Sequence, residues 1–290
     1  MTLEAFFIAP FAEYSFMRRA LAAAVILSFS GPPLGVFLML RGMSLMGDTM
    51  THAILPGIAV AYLFFGVSLW PMTLLGLGAG LLVAFIAGTV TRMTALKEDA
   101  SFTAMYLTAL AAGVLMVSVK GSPVDLLHVL FGNVLAVDDN SLFLIAGASS
   151  LTLVVLACMY RGLILECFDP VFLQSVGSKT AVYYNLFLGM VVLNLVVAFQ
   201  VLGTLMALGL MILPAISARF WTVHVDRMIA LAIFYAVSSS VIGLLVSYHA
   251  SLPSGPAMVL TASGFYFFSL LSGTHKGILR NSIFQKQQES

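Results

Sequence analysis

The sequence predicts an all-α polytopic membrane protein with about eight transmembrane helices, or nine if every apolar run is counted. Three observations carry that class. Hydrophobic residues make up 61% and charged residues 9% of the chain, against about 45–50% and about 25% in a soluble globular domain. Apolar runs near the ~20 residues needed to cross a bilayer recur along its whole length. The runs are continuous and do not alternate with polar residues, which argues against a transmembrane barrel. Helices remain as the way to satisfy every backbone amide in lipid.

Residues 1–17 read as an N-terminal interfacial segment. The stretch MTLEAFFIAPFAEYSFMRRA carries Glu4 and Glu13 and has no basic leader followed by a cleavage site. Its Phe, Tyr and Arg side chains suit the headgroup level. Residues 18–273 form the transmembrane domain, with candidate spans at 18–40, 43–67, 71–92, 100–119, 141–160, 182–200, 203–219, 228–248 and 255–273. Residues 274–290 form a polar tail. Gly31-Pro32-Pro33, Pro56-Gly57, Gly203, Gly209, Pro214 and Gly255-Pro256 punctuate the spans. Such breaks are tolerated where backbone is buried in protein or lines a cavity, and they suggest a kinked bundle. Cys158 and Cys167 match no metal or disulfide framework and read as structural.

The loops fix an orientation. Arg92, Lys97, Arg161, Lys179, Arg219, Arg227, Lys276, Arg280 and Lys286 fall on one side, and the opposite loops hold only Lys120. By the positive-inside rule the first set is cytoplasmic, and the C-terminus with it. The N-terminal parity stays open. Nine crossings would leave Arg18 and Arg19 outside, which the same rule disfavours; eight with both ends inside is preferred.

The chemistry concentrates at Asp48 and His52, in LMGDTMTHAILPGIAVAYLFF (45–65). On a helix this spacing sets a carboxylate and an imidazole on one face, one turn apart. Ionisable groups at membrane depth are costly and mark polar pathways. An oxygen and a nitrogen donor suit zinc or manganese, with iron a further option. A hydrogen bond that locks the helix ahead of Pro56 is the other reading. Asp125 and His128, at i and i+3 near an outer loop, are a weaker metal pair; a cap and an interfacial imidazole are the favoured reading of them. Glu98 and Asp99 suit the first turn of a helix. Asp138, Asp139 and Asn140 suit a cap for the helix that follows, Gln200 lies at the outer end of its span, and His224, Asp226 and His249 read as solvated.

Between Tyr160 and Tyr183 the spacing predicts a short amphipathic helix at about 168–178. Asp169 would be its N-cap, Pro170 its first turn and Gly177 its end, with Phe172, Leu173 and Val176 on one side. It reads either as an interfacial loop helix or as a coupling helix that docks on a separate motor subunit. The chain holds no G-x-x-x-x-G-K-[ST] phosphate loop, no H-E-x-x-H and no G-x-S-x-G elbow. It is not expected to be an enzyme. Energy must come from a partner or from an ion gradient.

Four stretches together resemble the permease subunits of ABC-type zinc, manganese and iron importers, the ABC-3 family: SLMGDTMTHAILPGIAVAY (44–62), LLHVLFGNVLAV (126–137), FDPVFLQSVG (168–177) and VLGTLMALGLMILPAISARF (201–220). A fifth, SGPAMVLTASGFYFFSLL (254–271), is similar to the family's final helix. The resemblance implies a type II-like permease bundle in the plasma (inner) membrane, paired with a second permease copy, a homodimer, around the metal path. It implies cytoplasmic ATP-binding subunits docked at 168–177 and an extracytoplasmic metal-binding protein. Asp48 and His52 match positions that contribute metal-contacting or gating groups. No cofactor and no nucleic acid are implied; the divalent metal is cargo. The alternative is a proton-coupled secondary metal transporter that uses Asp48 and His52 as a relay.

Overall fold

The computed structural model describes residues 9–66, 68–94, 96–119, 137–168, 180–275 and 277. Among these the chain forms α1 (Ala9–Glu13), α2 (Ser15–Leu40), α3 (Met46–Ala53), α4 (Leu55–Phe65), α5 (Leu69–Met93), α6 (Glu98–Val119), α7 (Asp139–Phe168), α8 (Thr180–Leu202), α9 (Thr204–Arg219), α10 (Val225–Ala250) and α11 (Ser254–Ser272), with no strand. Eight spans are long and apolar enough to cross a membrane when α3 and α4 count as one. The remaining long segment, α9, has 16 residues and a rise of about 24 Å.

Packing sorts the helices. The apolar windows of α2 and α8 are each 72% buried and that of α6 is 17% buried, so α2 and α8 form the centre and α6 lies at the periphery. The centre is filled by Phe37, Leu34 and Leu38 of α2 against Phe187, Val191, Leu195 and Phe199 of α8. One polar contact ties three helices inside this core. Asn194 Nδ2 donates to Ser30 Oγ at 2.7 Å, and Ser30 Oγ lies 3.0 Å from Ser149 Oγ. In lipid, buried polar side chains hold helices together because no water competes for them.

Side-chain pairs set the direction of each helix. The Tyr14 ring lies 5.8 Å from that of Tyr248, tilted against it, so the start of α2 meets the end of α10. Arg19 Nε lies 2.9 Å from Asp139 Oδ1, and at the other end Arg41 pairs with Glu166, so α2 and α7 run parallel. The His275 amide donates to the Phe220 carbonyl at 2.7 Å, so α9 and α11 end together. Arg18 and Arg19 therefore lie on the face opposite Arg219 and Arg227. The eight long spans match the preferred number among the described residues, but the two ends do not share one side, because the shorter α9 supplies an extra reversal. The charge rule misleads here because Asp139 neutralises Arg19 and the Ala12 carbonyl accepts from Arg18 Nη1 at 3.4 Å.

Two further expectations change. Pro32 and Pro33 do not break α2, nor does Pro214 break α9. The neighbouring helices keep these segments helical although each proline removes an amide bond. The real interruption is at Ile54, ahead of Pro56, which separates α3 from α4. In addition α7 continues to Phe168, well past the expected end at 160, and carries Glu166 into the bundle.

The expected cap of α7 is present. The Ser141 amide donates to Asp138 Oδ1 at 2.9 Å, and the Ser141 hydroxyl reaches the same oxygen. These bonds, the hydroxyl's first, hold the Asp138 carboxyl below its ordinary value. A depressed folded value means that the cap's contribution is complete above the unfolded value of about 3.9, and is lost as pH falls through the lower folded one. Asp138→Ala is expected to cost about 1 kcal/mol at neutral pH. Melting curves in detergent at descending pH should show wild type and variant converging in acid. A gap that does not change with pH would contradict this assignment.

Candidate metal site

Helix α3 is short, and its two faces differ. Met46, Met50 and Ala53 are buried against the bundle. Asp48 and His52, about 200° round the helix from that set, are turned away from it. Their side chains are 63% and 33% exposed in the single chain, and Asp48 Oδ1 lies 3.9 Å from His52 Nε2. That is too long for a hydrogen bond. Two donors at about 2.1 Å from one tetrahedral ion stand roughly 3.4 Å apart. A shift of a few tenths of an ångström would therefore let the pair chelate.

Local sequence supports this arrangement. Asp48 occupies the first turn of α3, where the helix dipole favours a carboxylate, and His52 occupies the last. Thr49 and Thr51 return their hydroxyls to the Met46 and Asp48 carbonyls at 2.8 and 2.7 Å, so they do not compete for the site. The ring of Tyr106, from α6, lies 5.9 Å from that of His52. His52 Nδ1 is buried with no hydrogen-bond partner, which leaves Nε2 as the nitrogen facing Asp48. Helix α6 comes close to the α3–α4 break because Gly113 abuts the Pro56 nitrogen, 3.1 Å from where its Cβ would lie.

Among the described residues no group of three His, Cys, Asp or Glu side chains could hold a metal within one chain. Asp48 and His52 stand as a pair. Asp125 and His128 lie outside the described residues, as do Asp169, Pro170, Phe172, Leu173, Val176 and Gly177 of the expected docking helix. Glu98 and Asp99 fall in the first turn of α6, as expected of helix-starting acids. Gln200 Oε1 accepts from Thr73 Oγ1 at 2.8 Å, linking α8 to α5. His249 Nδ1 lies 2.9 Å from the Leu245 carbonyl. Asp226 is not simply solvated, because it accepts the Tyr160 hydroxyl and so joins α10 to α7.

Sequence reasoning missed Arg41 and Glu166. Their side chains are 8% and 6% exposed and form a buried ion pair. Arg41 Nε also contacts Cys167 Sγ at 3.4 Å, and its guanidinium lies over the rings of Phe187 at 4.8 Å and Tyr184 at 5.4 Å. Gly42 follows at φ +73°. Its amide donates to Met39 and that of Met43 to Leu38, a Schellman end that needs a residue at positive φ. A charge at the junction of two apolar runs is the signal in the sequence that points to Arg41.

The family model described as the ABC 3 transport family matches residues 13–273. A manganese import system permease protein, ScaB, from Streptococcus gordonii is 31% identical over 93% of this chain and 96% of its own length. A manganese transport system membrane protein, MntC, from Halalkalibacterium halodurans is 32% identical over 94% and 93%. The solved structure of PsaBC from Streptococcus pneumoniae in complex with Fab superposes with a TM-score of 0.83 at 30% identity, covering 97% of this chain and 100% of that one. With the match spanning all but the ends of a helical bundle of the same shape, this chain belongs to the ABC 3 transport family.

Proposed function

We propose that this chain is the membrane permease subunit of an ATP-driven importer for a divalent transition metal, manganese or zinc first and iron next. The observation that carries the reading is the outward Asp48–His52 pair on a membrane span. A carboxylate 63% exposed on the surface of one chain would be costly against lipid. A second copy related by a two-fold axis would cover it and bring two oxygen and two nitrogen donors to one place. Few and flexible ligands suit a transient stop, since a closed four-ligand cage within one chain would retain the ion. The names of the relatives favour manganese; zinc and iron accept the same donors.

The chain itself hydrolyses nothing. ATP hydrolysis belongs to the separate ATP-binding subunit. The basic face, with Arg219 and Arg227, would be cytoplasmic, and the 169–177 segment would dock the ATP-binding subunits there. The opposite face would receive an extracytoplasmic metal-binding protein, with Asp125 and His128 as a relay inward. The proton-coupled alternative gains no support from the family assignment.

The test is uptake of radiolabelled manganese, zinc and iron into vesicles that contain the permease with its ATP-binding subunits and binding protein. Uptake of at least one metal should require ATP and survive a protonophore. Uptake that persists without the ATP-binding subunits and collapses with the proton gradient would overturn the proposal in favour of secondary transport.

A further inference from the structure

The buried Arg41–Glu166 pair has a place in the fold that suggests more than a staple. Glu166 and Cys167 close α7 just ahead of the segment proposed to dock the ATP-binding subunits, and Tyr184 and Phe187 open α8 just after it. Arg41 touches all four residues and so gathers the two helix ends that flank that segment. Arg41 also caps α2 and begins the five-residue turn, 41–45, that leads directly into α3 and Asp48. Against this turn lies a cavity of about 360 Å³, lined by Arg41 itself with Gly42, Met43 and Met46, and closed by the start of α6 at Lys97 to Phe102. The turn is held through Arg41 and borders open space into which it can move.

A buried ion pair is an expensive way to hold two helices. Apolar side chains of similar size commonly hold them as well or better, and the best-attested use of buried charge is to fix registry or a switch. Resting on the importer reading, we infer that Arg41 is a positioning residue that transmits displacement of the α7 and α8 ends to the Asp48–His52 helix. When the ends of α7 and α8 shift, the guanidinium follows the Glu166 carboxylate and the two rings. The 41–45 turn then moves into or out of the cavity, and α3 tilts with it. The ion pair supplies an element between the two sites that can be made or broken.

The test uses the complete transporter in vesicles with labelled manganese and reads the metal moved per ATP hydrolysed. Arg41→Met and Glu166→Leu are introduced together, so that no uncompensated charge is left buried. The double variant should assemble and hydrolyse ATP within about twofold of wild type, while metal moved per ATP falls about tenfold. An unchanged ratio would reduce the pair to a structural contact and overturn the inference. If the double variant does not assemble, Glu166→Gln carries the test, because it keeps the shape and weakens the ion pair. A fall in its ratio supports transmission, and a wild-type ratio overturns it. Wild-type vesicles that hydrolyse ATP and move no metal would instead sink the importer reading itself.

Discussion

Metal uptake by a transporter carrying His52→Ala should fall by about 100-fold or more, since losing even an outer partner of a metal ligand costs about 10–100-fold. The imidazole offers Nε2 toward Asp48 across 3.9 Å, and within one chain there is no third His, Cys, Asp or Glu among the described residues to take its place. Alanine removes the nitrogen and leaves the helix intact, because alanine is a strong helix former and His52 is not among the residues that fill the core. Asp48→Asn keeps the shape of the side chain and removes its charge, so it separates attraction of the cation from packing. It should also reduce uptake, with the larger effect at low metal concentration. Both variants should appear in the membrane at wild-type levels and assemble with the ATP-binding subunits. If both transport at the wild-type rate, the pair is not on the path, although the fold and the family would stand.

The largest effect on assembly is expected at Gly57. Helix α4 crosses α5 there so closely that a Cβ on Gly57 would meet the Leu75 carbonyl group, with its carbon at 2.6 Å and the Ala79 methyl at 2.8 Å. The obstacle is backbone, so no rotamer change relieves it. Either α4 withdraws from α5, or the α3–α4 break ahead of Pro56 shifts and takes His52 with it. Overpacking usually costs about 1–3 kcal/mol and occasionally more, and a backbone clash belongs at the upper end. Gly57→Ala should therefore lower the melting temperature in detergent sharply and reduce the yield of folded protein. Gly147→Ala is the control. Gly147 lies on α7 with nothing near its missing Cβ, and the change should be neutral or stabilise by up to about 1 kcal/mol. Equal melting of wild type and Gly57→Ala would show that the crossing is looser than the geometry requires.

Much of the candidate site could be read from residue spacing. Helical periodicity alone sets Asp48 and His52 on one face, and the side-chain chemistry of Asp138, Asp139 and Asn140 predicts a helix start. These are local properties, settled within one or two turns. The breaks were less legible, because a proline removes the same amide wherever it stands. Pro32 and Pro33 lie among buried neighbours on α2 and leave it continuous, whereas the helix stops ahead of Pro56. The difference comes from the surrounding helices.

What the sequence determines by itself is the solvent the chain requires, its set of long apolar helices and the placing of Asp48 and His52 on one helix face. Each follows from transfer free energy and helical period, which need no knowledge of neighbours. Only the tertiary structure decides which charges meet. Arg41 and Glu166 are 125 positions apart, and nothing local joins them. Likewise Arg19 tolerates its side of the bundle because Asp139 comes to it, and Tyr160 reaches Asp226 only because α7 and α10 end up adjacent. Burial turns a formal charge into either a cost or a contact, and burial is a property of the packed bundle, fixed when the helices choose their neighbours.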